Sequence, residues 1–168
     1  MTPNPIAWPF RVQYLLGFLV CIGLLAYALY EQGVLGVEPC PLCIFQRIAF
    51  MFMALFFLIG AIHGPGAAGR RAYALFVLLG GAAGIGIASY HIWVQHQPPD
   101  PLAGCAPGWS YMIDNFPISK VLKMVFSGHA DCAVINWTWL GFSMPEWTLV
   151  AFVLLSVGAV VAGFRSRR

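Results

Sequence analysis

Four long stretches of this chain carry no charged residue. The first runs from Val12 to Tyr30, 19 residues between Arg11 and Glu31. The second runs from Ile48 to Gly69, 22 residues between Arg47 and Arg70, with its apolar part ending near Ile62. The third, Ala72 to Val94, is interrupted only by His91. The fourth, Trp147 to Phe164, holds 18 residues. At 1.5 Å per residue each is long enough, with its interfaces, to cross about 30 Å of hydrocarbon. One such stretch could be a buried helix of a soluble protein; four in a single short chain predict four membrane-spanning helices. In the third, Gly80 and Gly84 form a small-xxx-small pair that lets helices approach closely in lipid.

Composition agrees. Of 168 residues, 60% are hydrophobic and 9% charged, with a mean hydropathy of +0.79. A soluble domain carries about 25% charged residues. The deficit excludes a disordered chain, a nucleic-acid binder and an ordinary soluble enzyme. The net charge of +3 implies no acidic partner. If all four segments cross, the termini and the loop after the second span share one side. That side holds Arg11, Arg70, Arg71, Arg165, Arg167 and Arg168 and no acid. The other holds Arg47, Lys120 and Lys123 with all six acidic residues. The positive-inside rule then puts both termini in the cytoplasm. Arg11, the apolar run and Ala26-Tyr27-Ala28 loosely mimic a cleaved signal. The run continues to Tyr30, so a retained helix is expected. The chain reads as one membrane domain over 1–168, with spans at about 12–30, 46–63, 72–94 and 147–164 and outer loops at 31–45 and 95–146.

Cys21 falls in mid-span and reads as a small buried hydrophobe. The other four cysteines lie in or beside the outer loops. Cys40 and Cys43 form Cys40-Pro41-Leu42-Cys43, and Cys105 and Cys132 are separated by 26 intervening residues in the long loop. Outside a bacterial inner membrane the compartment is oxidising, so all four are disulfide candidates. Three chemistries compete. Two structural disulfides could pin the loops. A zinc site with four cysteine ligands usually wants two close pairs, and only one is present. A Cys-x-x-Cys pair can also cycle between dithiol and disulfide.

Placement adds to the third reading. Cys43 opens the second span, and Arg47 follows at i+4 on the same helical face. A helix N-terminus and a nearby guanidinium both favour a thiolate. Arg47 also sets a fixed positive charge at the membrane boundary, where a quinone headgroup could sit; its plain alternative is a snorkelling interfacial anchor. His91, near the outer end of the third span, lies at a similar depth. An ionisable group inside a span is a functional candidate by default, here to hydrogen-bond or protonate a quinone oxygen, against a neutral packed histidine. His63, His96 and His129 suggest no site. The long loop is rich in proline and irregular. Within it Ile118, Val121, Leu122, Val125 and Phe126 follow an i, i+3, i+4 pattern that predicts a short amphipathic helix on the membrane surface or against protein.

Taken together, these residues resemble the disulfide bond formation protein B (DsbB) family of bacterial membrane quinone reductases, over nearly the whole chain. The resemblance rests on the four spans, on Cys40-Pro41-Leu42-Cys43-Ile44-Phe45-Gln46-Arg47, and on Tyr90-His91. Its most specific part is Cys132-Ala133, then Trp137, Leu140-Gly141, Ser143, Pro145 and Trp147. It implies an all-α four-helix bundle in the inner membrane with both cysteine loops in the periplasm. It implies a dithiol:quinone oxidoreductase that reoxidises a soluble DsbA-like thiol oxidase and passes electrons to ubiquinone or menaquinone. By position, Cys105 would form the mixed disulfide with that partner. Cys132 would be its mate and would then engage the first-loop pair at Cys40. Cys43 would be the thiolate beside the quinone, Arg47 would bind and polarise the quinone, and His91 would assist. Cys21 has no role in the pattern. The rival from another class is a non-catalytic four-span scaffold with structural disulfides.

Overall fold

The computed structural model describes residues 8–34, 36, 39–97, 114–120 and 137–165. Cys105, Cys132 and His129 therefore lie outside the described residues, as does the predicted amphipathic helix beyond Lys120. Among the described residues four helices are long and apolar enough to cross a membrane. They are α1 (Phe10–Gly33), α2 (Pro41–His63), α3 (Ala67–Gln95) and α4 (Met144–Phe164). The chain is an all-α, multi-pass membrane protein. In hydrocarbon only a helix or a closed barrel satisfies every backbone group internally, and these apolar runs take the first solution.

Each helix begins before its uncharged run, because backbone hydrogen bonding starts in the interface where polar side chains are tolerated. The largest shift is at the start of α2. Pro41 occupies its first position, where the missing N–H costs nothing. The first outer loop is correspondingly shorter than expected, and Cys43 lies within the first turn of α2. The α2–α3 turn is tight: Gly64 caps α2 with φ 55°, a left-handed conformation that glycine adopts freely. The Arg11 guanidinium lies against it and donates to the Ile62 carbonyl over 3.3 Å.

The helices form a closed bundle. α3 packs most extensively on α4, α1 on α2 and α2 on α3, with a narrower α1–α4 contact. Tyr14, Met53, Val77, Phe152 and Cys21 are fully buried between them. The Phe50 and Phe152 rings stack with centroids 4.0 Å apart. Cys21 thus sits in the core, as a small apolar side chain would. Leu19, Leu55, Leu79 and Leu154, one from each helix, are more than half exposed and face outward. In lipid the inner and outer surfaces are equally apolar, so close packing rather than water exclusion selects the interface. The glycine face of α3 supplies that packing. A Cβ on Gly80 would stand 2.7 Å from the Phe52 ring, one on Gly84 would overlap the Phe152 ring, and one on Gly81 would collide with Ser156.

Two short strands, β1 (Thr138–Trp139) and β2 (Phe142–Ser143), pair antiparallel just before α4. Their turn uses positive φ at Leu140 (54°) and Gly141 (85°), which matches the right-handed twist of a hairpin. The sequence reading did not anticipate this element, since leucine is a poor signal for that conformation. Further back, Ile118 to Lys120 are helical after Pro117. Phe116 packs against Leu42 and Val94, bringing that part of the long loop to the start of α2.

Gly84→Val should lower stability by about 1–3 kcal/mol, the usual cost of overpacking. Gly86→Ala, whose added Cβ meets nothing within 4 Å, should leave it unchanged. Thermal unfolding in detergent followed by helical circular dichroism distinguishes the two.

Candidate functional site

At the bundle end where α2 begins, the Cys40-Pro41-Leu42-Cys43 segment turns directly into helix. Cys40 is the N-cap, and its sulfur accepts the Cys43 N–H over 3.3 Å. Cys43 thus lies in the first turn of α2, at the helix N-terminus where the sequence places it. The cap geometry gives the N–H to the sulfur three residues earlier, as an N-cap side chain normally receives it. The Cys40 and Cys43 sulfurs are 2.8 Å apart and unbonded. Both side chains are half-buried.

His91 joins them from α3. It is buried, 3% exposed, and its Nε2 lies 3.8 Å from the Cys40 sulfur. Its other ring nitrogen, Nδ1, is 3.2 Å from the Gln46 side-chain nitrogen. Gln46, one turn into α2, is also buried, and its Oε1 lies 2.7 Å from the Thr148 hydroxyl of α4. Gln46 therefore ties α2 to α3 and α4 in one hydrogen-bonded line that ends at Cys40. The sequence reading placed His91 near Arg47 in depth, and the fold does bring both to one cavity. It gave Gln46 no role of its own, and Thr148 none at all. The available signal for Gln46 was its position at i+3 from Cys43, a polar residue facing inward in an apolar run.

Arg47 is held by α1. Its guanidinium donates to Gln32 Oε1 over 2.6 Å and to the Ala28 carbonyl over 2.9 Å. It is half-buried and anchored by protein. Two of its five N–H groups serve these bonds.

Cys40, Cys43, Gln46, Arg47 and His91 line a cavity of about 320 Å³, open at one side. Leu24, Leu25 and Phe50 supply apolar wall. That size, with a mostly apolar lining and a few convergent polar groups, is typical of a small-molecule site. The hairpin and the start of α4 complete its rim. Trp139 and Trp147 pack with centroids 5.0 Å apart, and the Trp147 indole N–H donates to the Trp139 carbonyl over 3.1 Å. The Glu146 carboxylate caps α4 by accepting the Ser143 N–H, and the Ser143 hydroxyl reaches Gln95 of α3 over 2.9 Å. Of the remaining histidines, His63 bonds the Tyr73 hydroxyl and His96 the Ile92 carbonyl, both on exposed surface away from the cavity lining.

Comparison with known proteins gives one consistent result. Residues 10–162 match the family model described as "Disulfide bond formation protein DsbB". A relative named "Disulfide bond formation protein B" from Xanthomonas euvesicatoria pv. vesicatoria (strain 85-10) is 51% identical over 166 residues, 98% of this chain and 96% of that protein. Proteins of the same name from Methylococcus capsulatus and Methylobacillus flagellatus are 48% and 44% identical, over 161 and 157 residues. Each alignment covers 94% of this chain, with 96% of the first relative and 95% of the second.

The Gln46 line makes one prediction about stability. Thr148→Val keeps the side-chain volume and removes the hydroxyl. It should cost about 1 kcal/mol, between the average of about 0.6 and the maximum of about 1.7 found for hydrogen bonds between membrane helices. Thr148→Ser should be nearly neutral. Thermal midpoints of the two variants in one detergent provide the check.

Proposed function

The chain belongs to the disulfide bond formation protein DsbB family, and from that premise we propose that it is a dithiol:quinone oxidoreductase that regenerates the disulfide of a soluble DsbA-like thiol oxidase. The observation that carries the reading is the Cys40–Cys43 pair, with its sulfurs 2.8 Å apart on the wall of an apolar cavity. A pair of thiols so close can form a bond without moving the backbone. A cavity that meets the sulfurs on one side, inside a membrane bundle, gives a lipid-soluble oxidant direct access to them. The rival scaffold reading accounts for disulfides but not for a buried histidine and a cavity converging on one pair.

The residues fit a quinone headgroup. The cavity offers flat apolar wall for a ring and N–H donors on Arg47 for a ring oxygen, with the Cys43 sulfur on the same surface. A bound ubiquinone or menaquinone would serve as the two-electron, two-proton acceptor. The protein's own steps are thiol–disulfide exchanges. A thiolate of the soluble partner attacks the Cys105–Cys132 disulfide at Cys105, and its second thiol displaces Cys105, leaving the partner oxidised. The released dithiol reduces the Cys40–Cys43 disulfide through Cys132 and Cys40. Cys40 and Cys43 are then reoxidised, giving up two electrons and two protons. Arg47 holds the acceptor, and His91 stands beside Cys40 to handle a thiol proton. In the proposed orientation the protein lies in the bacterial inner membrane with both termini cytoplasmic and the cysteine loops periplasmic.

Purified protein mixed anaerobically with reduced partner and quinone should reduce the quinone, followed by its absorbance. No reduction with a competent partner present overturns the assignment. Cys43→Ser should abolish the reaction and Cys21→Ser should leave it intact. Arg47→Ala should raise the apparent KM for quinone about tenfold, equivalent to about 1.4 kcal/mol. An unchanged KM would reduce Arg47 to a structural tie between α2 and α1.

A further inference from the structure

We infer that, when Cys40 and Cys43 are both reduced, they and His91 form a three-ligand site for Zn²⁺, and that filling it withdraws the dithiol from exchange. The spacing of the four loop cysteines alone does not favour zinc. The fold changes the donor set by bringing a histidine from α3 to the close pair. The two sulfurs and a His91 ring nitrogen all lie within 4.8 Å of one another. Zn²⁺ takes sulfur at about 2.3 Å and imidazole nitrogen at about 2.0–2.1 Å. A tetrahedral ion therefore needs sulfur-to-nitrogen separations of about 3.5 Å and a sulfur-to-sulfur separation of about 3.8 Å. The Cys40–His91 separation of 3.8 Å is close to that already. The sulfurs, at 2.8 Å, must part by about 1 Å. A small rotation of the Cys43 side chain about its Cα–Cβ bond supplies that. The fourth position faces the cavity.

The hydrogen-bonding around His91 suits a ligand. The Thr148 hydroxyl lies 2.7 Å from Gln46 Oε1 and 2.9 Å from the Pro145 carbonyl, yet has one proton for two acceptors. Turning the Gln46 amide over, which its shape allows, resolves this. Gln46 then donates to the Thr148 oxygen, and Thr148 donates to Pro145. The Gln46 oxygen faces His91 Nδ1 and accepts its proton. That tautomer leaves Nε2 with its lone pair toward Cys40. An imidazole whose far nitrogen donates to an oxygen is the usual outer arrangement of a zinc-bound histidine. Gln46 is thus a positioning residue for the metal, and Thr148 positions Gln46. Binding balances as Zn²⁺ plus two thiols and one neutral imidazole giving the neutral bis-thiolate complex and two protons.

The proposal stands apart from the catalytic reading, since binding is measured with neither partner nor quinone. The test uses the tag-free full-length chain with Cys105→Ser and Cys132→Ser, reduced and in detergent. Co²⁺ should bind one ion per chain with a sulfur-to-cobalt charge-transfer band and the visible absorption of a four-coordinate ion. Stoichiometric Zn²⁺ should erase both, and two protons should be released per ion. The same chain oxidised to the Cys40–Cys43 disulfide, which needs no further substitution, should not bind. By chelator competition His91→Ala should weaken Zn²⁺ at least 100-fold and Gln46→Leu about 10- to 100-fold. Gln46→Glu, whose carboxylate also accepts from Nδ1, should restore the affinity. Absence of the band, or equal affinity in the His91→Ala chain, overturns the site. A Gln46→Glu chain as weak as Gln46→Leu overturns it as built.

Discussion

A polar side chain inside a membrane bundle has no water to fall back on, and an unpaired one costs several kcal/mol. Gln46 is such a side chain, 4% exposed in a helix otherwise dominated by apolar residues. It is satisfied only if α3 brings His91 and α4 brings Thr148 to the same depth. The rest of the thiol end follows from that requirement. With α3 held there, His91 cannot avoid the N-terminus of α2, where Cys40 serves as cap. With α4 held there, the hairpin and its tryptophans close over the cavity. The glycine face of α3 makes the approach possible about two to three turns deeper, where Phe152 and Ser156 occupy the space that side chains at Gly84 and Gly81 would need. Packing and polar pairing thus specify one register between α3 and α4, by different means at different depths.

Much of this was legible from residues alone, for a simple reason. In a chain with so few charges, each charge marks a boundary, and four uncharged runs of membrane length leave little choice of architecture. The close pair was legible too, because an i, i+3 spacing at a helix start keeps two sulfurs together whatever surrounds them. Depth was legible roughly: counting from the ends of the runs put His91 level with Arg47. What a single sequence does not contain is rotation of one helix against another. That rotation decides that His91 meets Cys40, that Arg47 turns to Gln32 and the Ala28 carbonyl on α1, and that Thr148 reaches Gln46. The hairpin escaped notice because its turn uses Leu140 at positive φ, against that residue's local preference. Cys105 and Cys132 lie outside the described residues.

The two basic side chains near the thiols are held in different ways, and the difference bears on what each can do. Arg47 is anchored to α1 through two donors, so its charge is fixed in position while its remaining N–H groups stay available. Such a group suits recognition of an acceptor oxygen, where a bidentate, always-charged guanidinium outperforms a mobile ammonium. His91 is held through one nitrogen, leaving the other beside sulfur. A group held that way suits transfer of a proton or donation of a lone pair. The fold thus sets a fixed charge and an imidazole apart within a single cavity.

On the proposed cycle the Cys40–Cys43 pair is reduced only between its exchange with the second loop and its reoxidation at the cavity. Exchange chemistry and metal capture then draw on the same features: two sulfurs close together, a nitrogen lone pair beside them, and an open side. A site cannot have the first without some exposure to the second, because thiolates able to attack a disulfide are also good ligands for a soft cation. What limits capture is the lifetime of the reduced pair. Rapid reoxidation keeps the sulfurs bonded to each other and closed to metal. When the acceptor is scarce the dithiol persists, and His91, already oriented by Gln46, supplies the third ligand. The hydrogen-bonded line that holds the helices in register therefore also sets how strongly the reduced pair would hold an ion.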